Sequence, residues 1–355
     1  MMRRTGRRPS SSAKAPAALA RATGKGSMTM KKLSIKAAAL VVACAMALCA
    51  LAACSQPTAS SSSSASDEVM SVNDGTATSQ EASDDPFYVL IVGNDTRTGT
   101  VDITKEMYAD GSARSDTIML ARVDPKTYLV TFVTIPRDTQ DWAFNRVAKI
   151  NERYQQGGID ELMLAVEQLT GVKPKYYLDT TFVGFQDLIN DLGGIHMYVP
   201  VAQKMKDIVS GNEIQFDAGE HDLDGAMALV FARERKKYNP NGESYRQTND
   251  RLIVQTIMNK VMSDPATAVQ VATKLVGHVK TNWPADDLMA LVQDFTEHAD
   301  QVHYLSGTGP YEGGEEESSG LWVTWRDEET WHRIMDIVDK GGDPNEVIHA
   351  LSLYE

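Results

Sequence analysis

The residues best suited to chemistry are a set of cations spread along a strongly acidic chain: Arg97, Arg114, Arg137, Lys149, Arg233, Arg235 and Arg246. Two carboxylates, Asp95 and Asp116, sit beside the first of them. Guanidinium forks bind phosphate oxygens in pairs. Two carboxylates are the usual protein share of a magnesium site, with substrate phosphates and waters completing the octahedron. One diphosphate and one divalent cation would use the whole set. Each residue also has an ordinary reading. Asp95 after a strand is a common turn residue. Arg114 with Asp116, and Arg137 with Asp138, are possible local ion pairs of little energetic weight. Lys149 reads equally as a solvated helix residue, and Arg233 and Arg235 suit a helix C-terminus without any ligand. The case for a phosphate site is therefore collective. There is no P-loop and no glycine-rich dinucleotide motif to compete with it.

The stretch that must position these residues is 113–139. It reads as two strands, 117–123 and 128–134, joined by an Asp124-Pro125-Lys126-Thr127 turn. Paired as an antiparallel hairpin, they bring Arg114-Ser115-Asp116 and Pro136-Arg137-Asp138 to one end of a sheet. Residues 87–93 form an apolar run that suits a strand buried on both faces, with Asp95 leaving its end. Short helices are expected over 149–155 and 160–169, divided by Gly157-Gly158. A strand over 176–179 precedes a helix over 182–192 capped by Thr181. A strand follows over 195–199, then an Asp224-capped helix over 225–231. Arg246 leads into a helix over 252–262, and further helices are expected over 269–276 and 288–295. Residues 304–319 read as a loop, 321–325 as an edge strand and 328–338 as a last helix. Strands alternating with helices predict an α/β sandwich.

The chain has 355 residues. Residues 1–36 hold ten Lys or Arg and no acid, which leaves 25 basic residues against 48 acidic ones in the remainder. A body this acidic is a poor binder of nucleic acid, whose affinity rests on phosphate contacts. All three cysteines, Cys44, Cys49 and Cys54, fall in one apolar stretch, so the body has neither a disulfide framework nor a thiolate zinc site. No His-Glu-x-x-His occurs, and His196, alternating along a strand, reads as structural. Trp142, Trp322, Trp325 and Trp331 read as core or rim packing in preference to a sugar platform.

Met30-Lys31-Lys32 opens a basic segment followed by an uncharged apolar run over 37–53. That is an export signal. Its Leu51-Ala52-Ala53-Cys54 ending resembles a lipobox, with Cys54 as the lipidated residue; an uncleaved anchor is the alternative, since the run just suffices to span a bilayer. Either way the body is expected on the extracytoplasmic face of the cell membrane. The expected organisation is a basic N-terminus with signal or anchor over 1–54, a Ser-rich linker over 55–84 that buries too little to fold, and a folded domain over 85–355 with its motif core at 86–263 and an extension at 264–355.

An ordered set of short motifs then carries a resemblance. Gly93-Asn94-Asp95-Thr96-Arg97, Arg114-Ser115-Asp116-Thr117, Ile135-Pro136-Arg137-Asp138-Thr139, Lys149-Ile150-Asn151, Leu192-Gly193-Gly194, Leu223-Asp224-Gly225, Ala232-Arg233-Glu234-Arg235 and Arg246 follow one another as in LytR-CpsA-Psr domains. The resemblance implies an extracytoplasmic, membrane-tethered phosphotransferase of α/β class, a single three-layer α/β/α sandwich with a central mixed sheet and an apolar lipid groove. Its substrate would be a polyprenyl-pyrophosphate-linked glycopolymer, its acceptor peptidoglycan and its cofactor Mg2+. It implies Asp95 and Asp116 as metal ligands, and Arg114, Arg137, Lys149, Arg233, Arg235 and Arg246 around the pyrophosphate. Asp95, Asp116 and Arg137 would be catalytic. One departure stands out. Where the family usually has Gln four residues after Arg246, this chain has Asp250, followed by Arg251. An acid there repels a diphosphate unless it faces metal, acceptor or Arg251, which keeps open a non-catalytic lipid binder. A pyrophosphatase, with water in place of the sugar hydroxyl, is the other alternative.

Overall fold

The computed structural model describes residues 85–96 and 113–354. Arg97, the proposed lipidation site Cys54, the apolar run over 37–53 and the Ser-rich stretch lie outside the described residues. No helix among the described residues is long and apolar enough to cross a membrane.

The frame is a mixed six-stranded sheet. Its strands are β1 (Phe87–Asn94), β2 (Ser115–Asp124), β3 (Leu129–Thr134), β6 (Tyr176–Thr180), β11 (Lys280–Thr281) and β12 (His303–Thr308), in the order β11-β6-β1-β2-β3-β12. β2 runs antiparallel to both β1 and β3, while β6 and β12 run parallel to β1 and β3. The remaining strands form two-stranded ribbons: β4 (Gln140–Ala143) with β5 (Arg146–Lys149), β7 (Ile195–Val199) with β10 (Gly219–Leu223), β8 (Gln203–Lys206) with β9 (Glu213–Phe216), and β13 (Gly313–Glu315) with β14 (Trp322–Thr324).

Side chains alternate along each strand, so β1 and β2 feed two cores. Leu90, Val92, Ile118 and Leu120 face α1 (Asn151–Thr170) and α7 (Glu328–Asp339), where Leu162, Val166, Trp331 and Ile334 are fully buried. Val89, Met119 and Ala121 face the other way, toward α4 (Gly242–Met262) and α6 (Ala285–Glu297), meeting Met262 and Phe295. This is the expected α/β/α sandwich. A third core joins α2 (Phe182–Asp191), α3 (Gly225–Arg233), α5 (Ala268–Val276) and β7 to α4.

Several expectations are corrected. Lys149 does not start a helix; it ends β5, in a hairpin the sequence reading missed. As expected, α1 breaks at Gly157-Gly158 into two short helices: neither glycine is helical, and Gly158 takes φ +70° and ψ −153°. Only glycine occupies that region readily. Residues 303–308 are strand β12 at the sheet edge, inside the stretch read as a loop. The helix expected from 252 begins ten residues earlier, so Arg246 lies within α4. Thr181 and Asp224 do cap α2 and α3, accepting from the N–H groups of Gly184 and Met227. After Asp224, a Cβ on Gly225 would lie 2.3 Å from the Gln186 carbonyl oxygen. Glycine lets α3 start directly against α2.

Candidate functional site

Ile135 N–H donates to the Ile118 carbonyl, extending the β2–β3 pairing past the strands, and the two triplets emerge together as expected. The ion pairs cross between triplets instead of staying within them. Arg137 Nη1 donates to Asp116 Oδ1, and Lys149 Nζ lies 2.9 Å from Asp138 Oδ1. Asp95 stands at the end of β1, its Oδ1 accepting the Arg114 backbone N–H at 2.7 Å.

A cavity of about 330 Å³ opens at this sheet end. Its mouth carries Asn94, Asp116, Thr117, Arg137, Arg233, Arg235, Arg246 and Asp250. Its floor is apolar, with Ile91, Leu178, Phe185, Leu188, Ile257 and Met258. A second cavity of about 240 Å³, lined by apolar residues and the Trp283 indole, shares Ile91, Leu178, Leu188, Ile257 and Met258 with it. The two cavities thus adjoin across shared apolar residues between the sheet and α4, α5 and α6.

Among the sequence-derived candidates, Asp116, Arg137, Arg233, Arg235 and Arg246 line the mouth. Asp95, Arg114 and Lys149 do not. Arg114 Nε donates to Gln155 Oε1 on α1, on the opposite face of the sheet. Lys149 meets the mouth only through Asp138, next to Arg137. Arg233 lies over the Phe182 ring, 5.0 Å from its centroid.

Glu243 was missed. It sits in the first turn of α4, and its carboxylate gathers three arginines: Arg246 Nη2 at 2.5 Å, Arg235 Nη1 at 3.7 Å and Arg137 Nε at 3.9 Å. Burial pushes its carboxyl up, but Arg246, Arg137 and Arg235 more than offset that and hold it down at about 2. Its place three residues before Arg246, an i,i+3 pair on a helix, is the signal that was available. Arg137 Nε is buried and has no hydrogen-bond partner. A buried guanidinium donor left unmade is costly, and the Glu243 carboxylate at 3.9 Å offsets part of that cost.

Asp250 turns toward Arg246 Nη1 (2.7 Å) and Thr117 Oγ1 (2.8 Å). Arg251 points elsewhere, donating to Ser306, Thr134 and Thr248. The departing residue therefore pairs directly with Arg246, while Arg251 acts on it only through space. Burial drives the Asp250 carboxyl up, against the pull of Arg246 and the Thr117 hydroxyl, to about 6. A carboxyl that binds its proton more tightly when folded favours the native state at low pH, fully so below about 4, the unfolded value. That contribution is lost as pH rises through about 6. Asp250→Asn should therefore gain melting temperature relative to wild type as pH is raised from 4.5 to 7, measured by thermal unfolding of both proteins. A constant difference across that range would contradict the assignment.

Asp95 and Asp116 supply oxygen donors only, and among the described residues no group of three or more His, Cys, Asp or Glu gathers to cage a metal. Oxygen donors of this kind suit a hard divalent cation that takes the rest of its shell from a bound phosphate, but of the two only Asp116 lines the mouth.

A sequence model of the LytR_cpsA_psr family matches residues 51–336. The chain belongs to the LytR_cpsA_psr family. Among its relatives, the polyisoprenyl-teichoic acid–peptidoglycan teichoic acid transferase TagU of Bacillus subtilis (strain 168) is 33% identical over 232 residues, covering 63% of this chain and 70% of that one. TagU of Bacillus licheniformis is 30% identical over 231 residues, again covering 63% and 70%. The crystal structure of B. subtilis TagV matches with a TM-score of 0.59 at 26% identity, covering 76% of this chain and all of that one. The LytR_cpsA_psr fold accounts for the three-layer architecture.

Proposed function

We propose that this chain is a membrane-tethered, extracytoplasmic phosphotransferase that moves a glycopolymer from a polyprenyl-pyrophosphate carrier to peptidoglycan. One observation carries the reading: an arginine-lined mouth opens into an apolar interior, which is the amphipathic shape of a lipid diphosphate. The names of the TagU relatives support the transferase class. The lipid tail would occupy the apolar interior, where its burial supplies affinity. The diphosphate would lie at the mouth, held by Arg137, Arg233 and Arg235, with the buried Arg246 adding charge from beneath through a guanidinium whose donors are committed to Glu243, Asp250, Thr117 and the Asp116 carbonyl.

Phosphoryl transfer asks for positioning and charge neutralisation more than covalent help. The acceptor hydroxyl attacks the sugar-side phosphorus, and the bridging P–O bond breaks with its electron pair leaving on polyprenyl phosphate. Asp116, at the mouth, is placed to take the hydroxyl proton. Arg137 and Arg246 stay fixed through their carboxylate partners, so they meet the developing charge with little reorganisation. Four arginines against Asp116, Glu243 and Asp250 leave little net positive charge at the mouth for a diphosphate. The reading therefore calls for Mg2+, with Asp116 at the mouth and Asp95 at the end of β1 as the residues that would hold it. Bound there, Mg2+ would neutralise charge on the phosphoryl oxygens.

The test follows a label in the sugar phosphate. With donor lipid, Mg2+ and peptidoglycan fragments, the label should move onto the fragments as a phosphodiester. Label released only as free sugar phosphate would make the protein a pyrophosphatase.

A further inference from the structure

Of the tryptophans, Trp331 is core, fully buried between α7 and the sheet. Trp142 and Trp322 are not packed inside; they are 56% and 51% exposed. Both flank the same ribbon. In the β4–β5 pairing Gln140 faces Lys149 and Trp142 faces Val147, which puts Trp142 and Lys149 on one face. Lys149 Nζ lies 6.0 Å from the centroid of the Trp322 ring, bringing the second indole to that face. The two hairpins are fixed to each other: Thr324 N–H donates to the Asp138 carbonyl at 2.9 Å, and Arg326 Nη1 reaches Asp141 at 3.1 Å. At the tip of the β4–β5 turn, Phe144 is 47% exposed at φ +51°. A bulky side chain in the left-handed region is costly where Asn or Gly would fit.

We infer that the joined hairpins β4–β5 and β13–β14 bind the sugar strand of the acceptor, with Trp142 and Trp322 as stacking faces. This rests on the transferase reading and names the surface that reading leaves undefined. The surface begins where the cavity mouth ends, because Lys149 holds Asp138 and Asp138 adjoins Arg137. A polymer that delivers one hydroxyl to the phosphorus must lay its neighbouring sugars on adjoining surface. Pyranose rings present apolar C–H faces, which suit the electron-rich faces of indoles. Their hydroxyls and acidic substituents suit Gln140 and Lys149 between the rings. An apolar patch broken by such polar groups fits a glycan better than a flat protein interface, whose core is depleted of charge.

The test uses the full chain in detergent and peptide-free glycan strands released from peptidoglycan. Trp142→Ala/Trp322→Ala should weaken glycan binding, and raise the half-saturating acceptor concentration, by roughly tenfold or more. The rate at saturating acceptor and the binding of donor lipid should not change. Trp142→Tyr/Trp322→Tyr should retain most of the affinity. Unchanged glycan binding in the alanine variant overturns the inference, as does an effect confined to self-association in sedimentation. Glycan binding is read without donor lipid, so its outcome is separate from that of the transferase reading, which fails if wild type never transfers label.

Discussion

Replacing Arg137 with alanine is expected to lower turnover of a polyprenyl-pyrophosphate-linked glycopolymer by about 10²–10³-fold, the usual effect of removing one preorganised donor at a developing charge. The fold should survive, because Arg137 lies at the cavity mouth and its partner Asp116 keeps access to water. Asp116 and Glu243 together hold the guanidinium firmly in its charged form, despite burial. Arg137→Lys keeps the charge but loses the fork and should recover only part of the rate. Steady-state kinetics with a melting curve for each variant check this. Unaltered kcat in Arg137→Ala would remove Arg137 from the site.

Arg246→Ala should behave differently, failing in stability as well as in turnover. Its guanidinium is buried and donates to Glu243, Asp250, Thr117 Oγ1 and the Asp116 carbonyl. Removing it leaves the buried Asp250 and the half-buried Glu243 without their main partner. Breaking a buried pair from one side costs about 3–5 kcal/mol, on the order of 10 °C in melting temperature for a body of this size. The double variant Arg246→Ala/Asp250→Asn relieves one stranded charge and should regain part of that stability without regaining turnover. Equal melting temperatures for wild type and Arg246→Ala would show that the buried network does not carry the stability assigned to it.

The contrast between these two arginines shows how far sequence reasoning reached. The hairpin that brings Arg137 to Asp116 was legible, because β-branched runs around an Asp-Pro turn fix both pairing and register. The first turns of α4 were not. Residues 246–251 are all polar and all buried, so the apolar period that marks a helix starts only at Leu252. Their burial is satisfied by ion pairs and threonine hydroxyls, which leave no hydropathy signal. Glu243 was lost with them. Strand β12 was hidden by Ser306 and Gly307, poor strand formers held in place by pairing with β3. Lys149 was placed on a helix because the β4–β5 hairpin turns through Phe144 and Asn145, both at positive φ, with no glycine to announce it. The exposure of Trp142 and Trp322 depends on how two distant hairpins meet, which no local pattern encodes.

The most direct test of the phosphoryl-transfer site is turnover of a polyprenyl-pyrophosphate-linked sugar by the full chain, with and without Mg2+. Turnover that stops on chelation and returns with Mg2+ is the predicted result. Tight lipid binding with no turnover, even with Mg2+ and peptidoglycan fragments present, would contradict it and make the arginine cavity a carrier site.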